Sequence, residues 1–200
     1  MPSVAYGCCV GSWDRFNRYV VPPATGAPVL GLSGQTSIAD AYNTILDAYS
    51  NQGFDMVILQ HDDLEILDSD HVAKFAAVFT YGVDLAGVAG GSARSGLGWW
   101  NCDPVGHQLT DAMNIDFGAR SGSVDLLEGS ILAFSAVAIN QFRFVRRPGF
   151  HGYDEITMGR EAVVVDVDTH HHTALGFDNE VSHEDWLAAD RWFRQKWSIG

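Results

Sequence analysis

Two adjacent carboxylates follow a near-continuous apolar run. Residues 54–60 read FDMVILQ, and His61, Asp62 and Asp63 come directly after them. Carboxylate oxygens are hard ligands that suit Mg²⁺ or Mn²⁺, and an ion held there could bridge to a diphosphate. Alternatively, the two acids only terminate a strand and cap a turn. The first interpretation predicts a metal-assisted site for an anionic substrate.

Three consecutive histidines follow a second apolar segment. His170, His171 and His172 come after the valine-rich residues 163–167. Imidazole suits Mn²⁺ or Zn²⁺. Side chains alternate along an extended chain, so one histidine, or His170 together with His172, is the most that one ion could take from this run. The alternative is a solvated loop.

A second acidic pair, Asp154 and Glu155, lies in the segment FHGYDEITMGRE at residues 150–161. Gly152 and the apolar flanks predict a turn that opens a helix. A carboxylate there could act as a general base if its pKa lies near the working pH. The residues alone favour a simpler interpretation, in which acids of the first turn complement the helix dipole.

The elements that must position these groups are predicted from apolar periodicity and breakers. Ser37, with Asp40 three residues on, predicts the start of a helix that Gly53 ends. Residues 11–28, which hold three prolines, are predicted to be a loop, and Ser182 is predicted to cap a C-terminal helix. Strands are predicted at 4–10, 29–32, 54–60, 84–89, 124–127, 131–134 and 163–167, and a further helix at about 70–80.

This alternation of strands and helices predicts an α/β sandwich. Ligands of such sheets bind at the carboxyl ends of the strands, and His61, Asp62 and Asp63 follow one of those ends. The position of the acidic pair therefore agrees with its chemistry.

Composition limits the class of protein. The chain has 200 residues, of which 46% are hydrophobic, with 12 Lys+Arg against 25 Asp+Glu and a net charge of −13. The length predicts one domain, and the acidity argues against a nucleic-acid partner. The sequence has neither the pattern of a secretory signal nor the roughly 20 apolar residues of a membrane helix. The three cysteines, Cys8, Cys9 and Cys102, form no disulfide framework, which favours a cytoplasmic protein.

In their joint order these segments resemble the GT-A glycosyltransferases, and within them the small family-2-like group. The resemblance spans most of the chain. The quoted segments are SIADAYNTILDAY at 37–49, MVILQHDDLEI at 56–66, LAGVAGG at 85–91 followed by WW, VDLLEGSILAFS at 124–135, FHGYDEITMGREA at 150–162, VVVDVDTHHHTALG at 163–176 and WLAADRWFRQKW at 186–197.

The resemblance implies a Rossmann-like α/β/α sandwich with a mostly parallel central sheet and a small acceptor-side β region. It implies one domain over residues 1–200, with a nucleotide-sugar half at 1–90 and an acceptor-side, catalytic half at 91–200. The implied activity is metal-dependent, inverting transfer of a sugar from a UDP- or GDP-type donor to a hydroxyl of a glycan or other acceptor. A second copy of the chain is one way of completing so small an acceptor side.

The resemblance also implies a metal centre. Asp63 is the implied direct ligand, and His172 the implied late histidine, because its four-residue step to Gly176 fits the family pattern; His170 and His171 are the fallbacks. An imidazole beside carboxylates favours Mn²⁺ over Mg²⁺. The family's usual motif is acid-any-acid, and this chain has His61 at the first position.

Other roles carry over in the same way. Asp154 matches the base that deprotonates the acceptor hydroxyl, with Glu155 as its neighbouring alternative. Trp99, Trp100 and Tyr153 could supply apolar platforms for sugar faces, or simply pack in the core.

Donor contacts fall on the first half of the chain. His61 and Asp62 are expected to contact the donor, and Gly11 and Ser12 to border the nucleobase. Gln35 and Asn43 are further expected donor contacts.

Two other functions compete with this one. The short chain and the histidine in the acidic motif also suit a catalytically degenerate GT-A fold that binds sugars or nucleotides, or acts as a scaffold. A metallohydrolase would use the histidine run and the acid pairs, but the sequence has no spaced motif such as HExxH.

Overall fold

The computed structural model describes residues 2–146, 152–172 and 183–200. The strands are β1 Val4–Val10, β2 Val29–Ser33, β3 Met56–His61, β4 Leu64–Ile66, β5 Leu85–Gly87, β6 Ala89–Gly91, β7 Val105–Thr110, β8 Asn114–Asp116, β9 Gly122–Val124, β10 Leu126–Leu127, β11 Ile131–Ser135, β12 Ala162–Val164 and β13 Thr169–His171. The α-helices are α1 Trp13–Arg15, α2 Ile38–Tyr49, α3 His71–Phe79, α4 Ala136–Gln141 and α5 His183–Trp197.

Within these residues a seven-stranded sheet has the order β2-β1-β3-β11-β5-β12-β9. The pairs β1–β2, β1–β3 and β5–β12 are parallel, whereas β3–β11, β11–β5 and β12–β9 are antiparallel. The α/β class is confirmed, whereas the expectation of a mostly parallel sheet is not: half of the strand pairs are antiparallel, because β11 and β9 run against the other five strands. The chain enters β11 from the edge where β3 ends, because Ile131 lies opposite Gln60, and β11 must therefore run against β3.

The central strand β3 explains the apolar run of the sequence. Val57 and Leu59 face a core that α2 and α4 cover, while Met56 and Ile58 face a second core that α3 covers. All four side chains are fully buried. A strand buried on both faces reads as a continuous apolar run, so this prediction is confirmed.

Helix α2 begins where the sequence predicts. The Ser37 side chain accepts a hydrogen bond from the Asp40 amide at 3.3 Å, which caps the first turn. The helix ends at Tyr49, earlier than Gly53, and Asn51 then adopts a left-handed backbone with φ 60°. Asparagine tolerates that conformation better than other non-glycine residues, so the chain turns before the glycine.

Residues 11–28 are not the predicted loop. After α1 comes a π-helical segment, Phe16–Val20, and then a 3₁₀ turn, Pro22–Ala24. Phe16 and Val20 pack against β1, and prolines at the start of a helical turn cost no internal hydrogen bond. This segment leads the chain from the end of β1 to the start of β2.

A smaller sheet lies beyond the edge where β1 and β3 end. Its order is β10-β6-β7-β13-β4, and β8 pairs with β7. The predicted strand at 84–89 is split into β5 and β6, and the predicted strand at 163–167 ends at Val164. The first sheet takes strands from both 1–90 and 91–200.

The C-terminal helix α5 spans 15 residues and packs Ala189 and Phe193 into a third core. It begins with acids and ends with bases, as its dipole favours. The predicted cap, Ser182, lies outside the described residues. No helix in the described ranges combines the length and apolar character needed to cross a bilayer.

Candidate functional site

The candidate site forms where the two sheets meet. Strands β1, β2 and β3 are parallel, so their carboxyl ends share one edge, and Asp62 and Asp63 follow β3 at that edge. Strand β13 pairs antiparallel with β4, placing His171 opposite Leu64. This pairing brings the histidine run to the acidic motif.

Three side chains form what we call the inner cluster: His61, Asp63 and His171. Asp63 Oδ1 lies 3.2 Å from His171 Nε2 and 3.9 Å from His61 Nδ1. The three side chains are 23%, 18% and 15% exposed, respectively. One carboxylate and two imidazoles, all partly buried, thus converge, and their donor atoms lie within 4.8 Å of one another.

The protonation states of the inner cluster follow from its surroundings. Burial raises the pKa of Asp63, but the hydrogen bond from His171 and the neighbouring charges of His61 and Arg15 outweigh it, so its pKa lies well below the usual range. Burial lowers the pKa of His61, against the opposing charge of Asp63. An ionised carboxylate beside a neutral imidazole is the form that binds metals.

Tyr153 links the inner cluster to the predicted catalytic segment. Its hydroxyl lies 2.8 Å from His61 Nε2. Tyr153 begins the 3₁₀ helix Tyr153–Thr157, which contains the predicted base Asp154. The backbone of that segment therefore lies beside the inner cluster, although the Asp154 side chain lies outside the described parts of the structure. Tyr153 also packs against the main core, so the platform role stays a prediction.

Asp62 turns away from Asp63. Its carboxylate accepts hydrogen bonds from the amides of Gly11 at 2.8 Å and Ser12 at 2.5 Å, and Arg15 Nη2 lies 3.0 Å from the other oxygen. A Cβ at position 11 would lie 3.2 Å from that Arg15 nitrogen, which is tight. Asp62 therefore fixes the turn after β1 at the site edge, and its two oxygens are already engaged by this turn.

His172 and His170 lie on the other side of β13, in what we call the outer cluster: Glu65, Asp111, His170 and His172. His172 Nε2 lies 2.9 Å from Glu65 Oε2, and its ring stacks on Tyr19 at 4.1 Å between centroids. The structure thus groups Asp63 with His171, a fallback of the resemblance, and groups His172 with Glu65. Side-chain alternation along β13 is the physical reason.

Glu155 is engaged elsewhere. Its side chain is buried and pairs with Lys196 of α5. A buried carboxylate that already neutralises a lysine is poorly placed to take a proton from a substrate. Within the acidic pair, the geometry leaves Asp154 as the candidate base.

The two amide residues differ from the expectation. Asn43 is buried, and its side chain donates to the Phe144 carbonyl at 2.9 Å and accepts from the Phe144 amide at 2.8 Å. It fastens α2 to the chain after α4, and both groups of its amide are engaged there, so the geometry speaks against the predicted donor contact at Asn43. Gln35 follows β2 at the site edge, where its side chain donates to the Ser33 carbonyl at 3.0 Å.

Several site residues escaped sequence reasoning. Arg15, Glu65, Asp111 and Glu128 carry charges around the two clusters, and the charge of Glu128 acts on His61. Of these, only Glu65 could have been recognised from the sequence, because it is the one polar residue between the apolar Leu64 and Ile66 after the acidic motif. The others come from distant segments.

A third group, around His107, has a different composition. His107 Nε2 lies 2.7 Å from Asp168 Oδ1, and Asp166 lies 3.7 Å from the other ring nitrogen. Arg120 lies 3.6 Å from Asp166 and 3.8 Å from Asp168. Because a guanidinium already balances these carboxylates, a metal ion would have to displace it.

Comparison with known proteins gives one curated relative and a fold neighbour. The chain is 28% identical over 211 residues to the streptomycin biosynthesis protein StrF of Streptomyces griseus, covering 96% of this chain and 74% of that protein. A crystal structure of A197 from STIV superposes with a TM-score of 0.59 at 14% identity, covering 86% of each chain, which indicates a shared fold only. No protein-family model matches the chain.

Proposed function

We propose that this protein is a metal-dependent, inverting glycosyltransferase that moves a sugar from a nucleoside-diphosphate donor to an acceptor hydroxyl. The observation that carries the proposal is the inner cluster at the carboxyl edge of β1 and β3. Ligands of α/β sheets bind at this edge, and the acidic motif and the histidine run, to which the resemblance assigns the metal ligands, meet there. The similarity to a streptomycin biosynthesis protein agrees with a biosynthetic role.

The donor set of the inner cluster fits a divalent ion. Asp63 supplies an ionised oxygen, and His61 and His171 supply imidazole nitrogens. Two nitrogen ligands suit Mn²⁺ better than Mg²⁺, which prefers oxygen. When bound, such an ion neutralises the charge that develops on the departing diphosphate. Since the chain carries −13, a local cation would also offset its repulsion of an anionic donor.

The turn that follows β1 would contact the donor. Gly11 and Ser12 form the turn at the end of β1, held by Asp62, and would border the nucleobase. The Arg15 side chain, 43% exposed, would face the donor phosphates from the same turn. We therefore add Arg15 to the proposed donor contacts.

Proton transfer from the acceptor is assigned to Asp154. A base opposite the departing group gives inversion, and such a base contributes about 10²- to 10⁴-fold to the rate. Tyr153, at 2.8 Å from His61 Nε2, holds the start of this segment against the inner cluster.

We place the protein in the cytoplasm, a proposal that rests on its three free cysteines.

A panel of UDP- and GDP-sugars, assayed for donor hydrolysis and transfer with Mn²⁺ and with EDTA, tests the proposal. Turnover of at least one donor in Mn²⁺ and its loss in EDTA are the expected results. Donor binding without turnover would favour the degenerate binding protein instead. Absence of both binding and turnover across the panel would contradict the proposed function.

A further inference from the structure

The outer cluster is built by strand register. His170 lies opposite Glu65 in the antiparallel pair β13–β4, so their side chains share one face. His172, two residues on, falls on the same side, and its amide donates to the Asp63 carbonyl at 2.8 Å, which continues the pairing. Leu64 and Ile66 point to the opposite face and are buried. The pairing therefore brings the two imidazoles next to a carboxylate that lies about 100 residues earlier in the chain.

A fourth group closes the arrangement. Asp111 follows β7, which pairs parallel with β13, and its Oδ1 lies 2.9 Å from His170 Nε2 and 3.5 Å from His172 Nδ1. His172 Nε2 lies 2.9 Å from Glu65 Oε2. The ring of Tyr19, which is buried, stacks on His172 at 4.1 Å and limits its rotation. Four polar side chains from three strands and their ends thus face one another.

The chemistry of this set matches a transition-metal site. Donor atoms of Glu65, His170 and His172 lie within 4.8 Å of one another. Ligand atoms around a tetrahedral Zn²⁺ lie roughly 3.3 Å apart, because each is about 2.0 Å from the ion. The two carboxylates, Glu65 and Asp111, also supply the negative charge that balances a divalent ion. Asp111 lies on the Nδ1 side of His172, whereas Glu65 lies on the Nε2 side, so Asp111 would act as the carboxylate that orients the histidines.

We propose that the outer cluster binds a divalent transition-metal ion of the Zn²⁺ class, separate from any ion in the inner cluster. The bound ion would tie β4 to β13 and to the end of β7. This tie would hold His171 against Asp63 on the opposite face. The proposal does not depend on the glycosyltransferase activity, because it concerns residues that the proposed reaction does not use.

The test uses the full-length chain with the double substitution Asp63→Asn and His171→Gln, which removes inner-cluster ligands. Metal-free protein is titrated with Co²⁺ and Zn²⁺, and circular dichroism in metal-free buffer checks its fold. We expect one equivalent of each ion, with the visible absorption of four-coordinate Co²⁺. Adding Glu65→Gln and His172→Gln should remove that equivalent, while Asp111→Asn alone should weaken binding about 10- to 100-fold.

Controls separate this site from other histidines. His183→Gln, at the exposed start of α5, should leave binding unchanged. If the inner-cluster variant is misfolded, the wild-type chain is compared with the Glu65→Gln/His172→Gln variant. This variant should bind one equivalent of Zn²⁺ fewer than wild type. Binding that survives these two substitutions, or a folded parent that binds no ion, would overturn the proposal. Failure of the sugar-transfer assay would leave these results unaffected.

Discussion

The two faces of the ribbon formed by β4 and β13 carry the same kinds of side chain in different surroundings. In the inner cluster Asp63 is 18% exposed, and His61 has a pKa lowered by burial. In the outer cluster Glu65 is 38% and Asp111 50% exposed, and strand register is what brings the groups together. The carboxylates of the outer cluster are thus more exposed than Asp63, and we propose catalysis for the inner cluster and a structural tie between strands for the outer one.

This contrast explains how three consecutive histidines can serve two purposes. Alternation along β13 sends His171 to one face and His170 to the other, and the end of the strand leaves His172 beside His170. A single substitution in this run should therefore disturb one face more than the other.

The largest expected effect is on the inner face. Asp63→Asn keeps the shape of the side chain but removes the ionised ligand, so metal-dependent turnover should fall by at least about 100-fold. Initial rates with Mn²⁺, beside circular dichroism to check the fold, give the measurement. Asp70→Asn, at the exposed start of α3, is the matched control and should keep full activity. Normal turnover in the Asp63 variant would remove this residue from the mechanism.

The second-largest expected effect is a difference between His171 and His172 in the response to Mn²⁺. His171→Gln should raise the Mn²⁺ concentration needed for half-maximal rate by about 10- to 100-fold, because it removes a ligand and a hydrogen bond to Asp63. His172→Gln should change that concentration by less than about threefold. Equal effects, or a larger effect at His172, would favour the metal centre of Asp63 and His172 that the resemblance implies.

Part of the fold and of the candidate site could be predicted from the sequence, and part could not. The buried strand β3 and the cap at Ser37 depend on neighbours in the sequence, so their patterns could be recognised. The choice between His171 and His172 depends on how β13 pairs with β4, about 100 residues earlier. The hydrogen bonds of Asn43 likewise go to Phe144, 101 residues away. Local spacing carries no information about such partners.

Substitution of Asn43 is expected to lower the stability of the fold and to leave donor binding unchanged. Asn43→Ala leaves the buried amide and carbonyl of Phe144 without partners, which should cost about 2 kcal/mol of unfolding free energy. Urea unfolding measures the loss, and the KM for the donor in the folded fraction should stay near its wild-type value. A large rise in KM with unchanged stability would instead assign Asn43 to the donor site.

The smallest expected effect is a pH dependence of stability. The folded-state pKa of His61 lies below its ordinary value of 6.5, so the unfolded chain binds the proton first. This contribution to stability is complete above pH 6.5 and is lost as the pH falls toward the folded-state pKa. Unfolding free energies at pH 7.5 and 5.5 should thus differ more in wild type than in His61→Gln.

His71, whose pKa burial also lowers, is present in both proteins, and its contribution cancels in that comparison. Asp63 contributes only at lower pH, since its folded-state pKa lies below its ordinary 3.8 and its stabilisation is lost below that value. An identical pH dependence in the two proteins would show that His61 is not desolvated.

The most direct test of the inner cluster is calorimetric titration of UDP and GDP into the protein with Mn²⁺, with EDTA, and in the Asp63→Asn variant. We expect one nucleotide to bind in Mn²⁺, and we expect that binding to disappear in EDTA and in the variant. Asp70→Asn should bind as wild type does. Nucleotide binding that is unchanged by EDTA and by Asp63→Asn, or no binding of either nucleotide under any condition, would contradict a metal-assisted diphosphate site at this edge of the sheet.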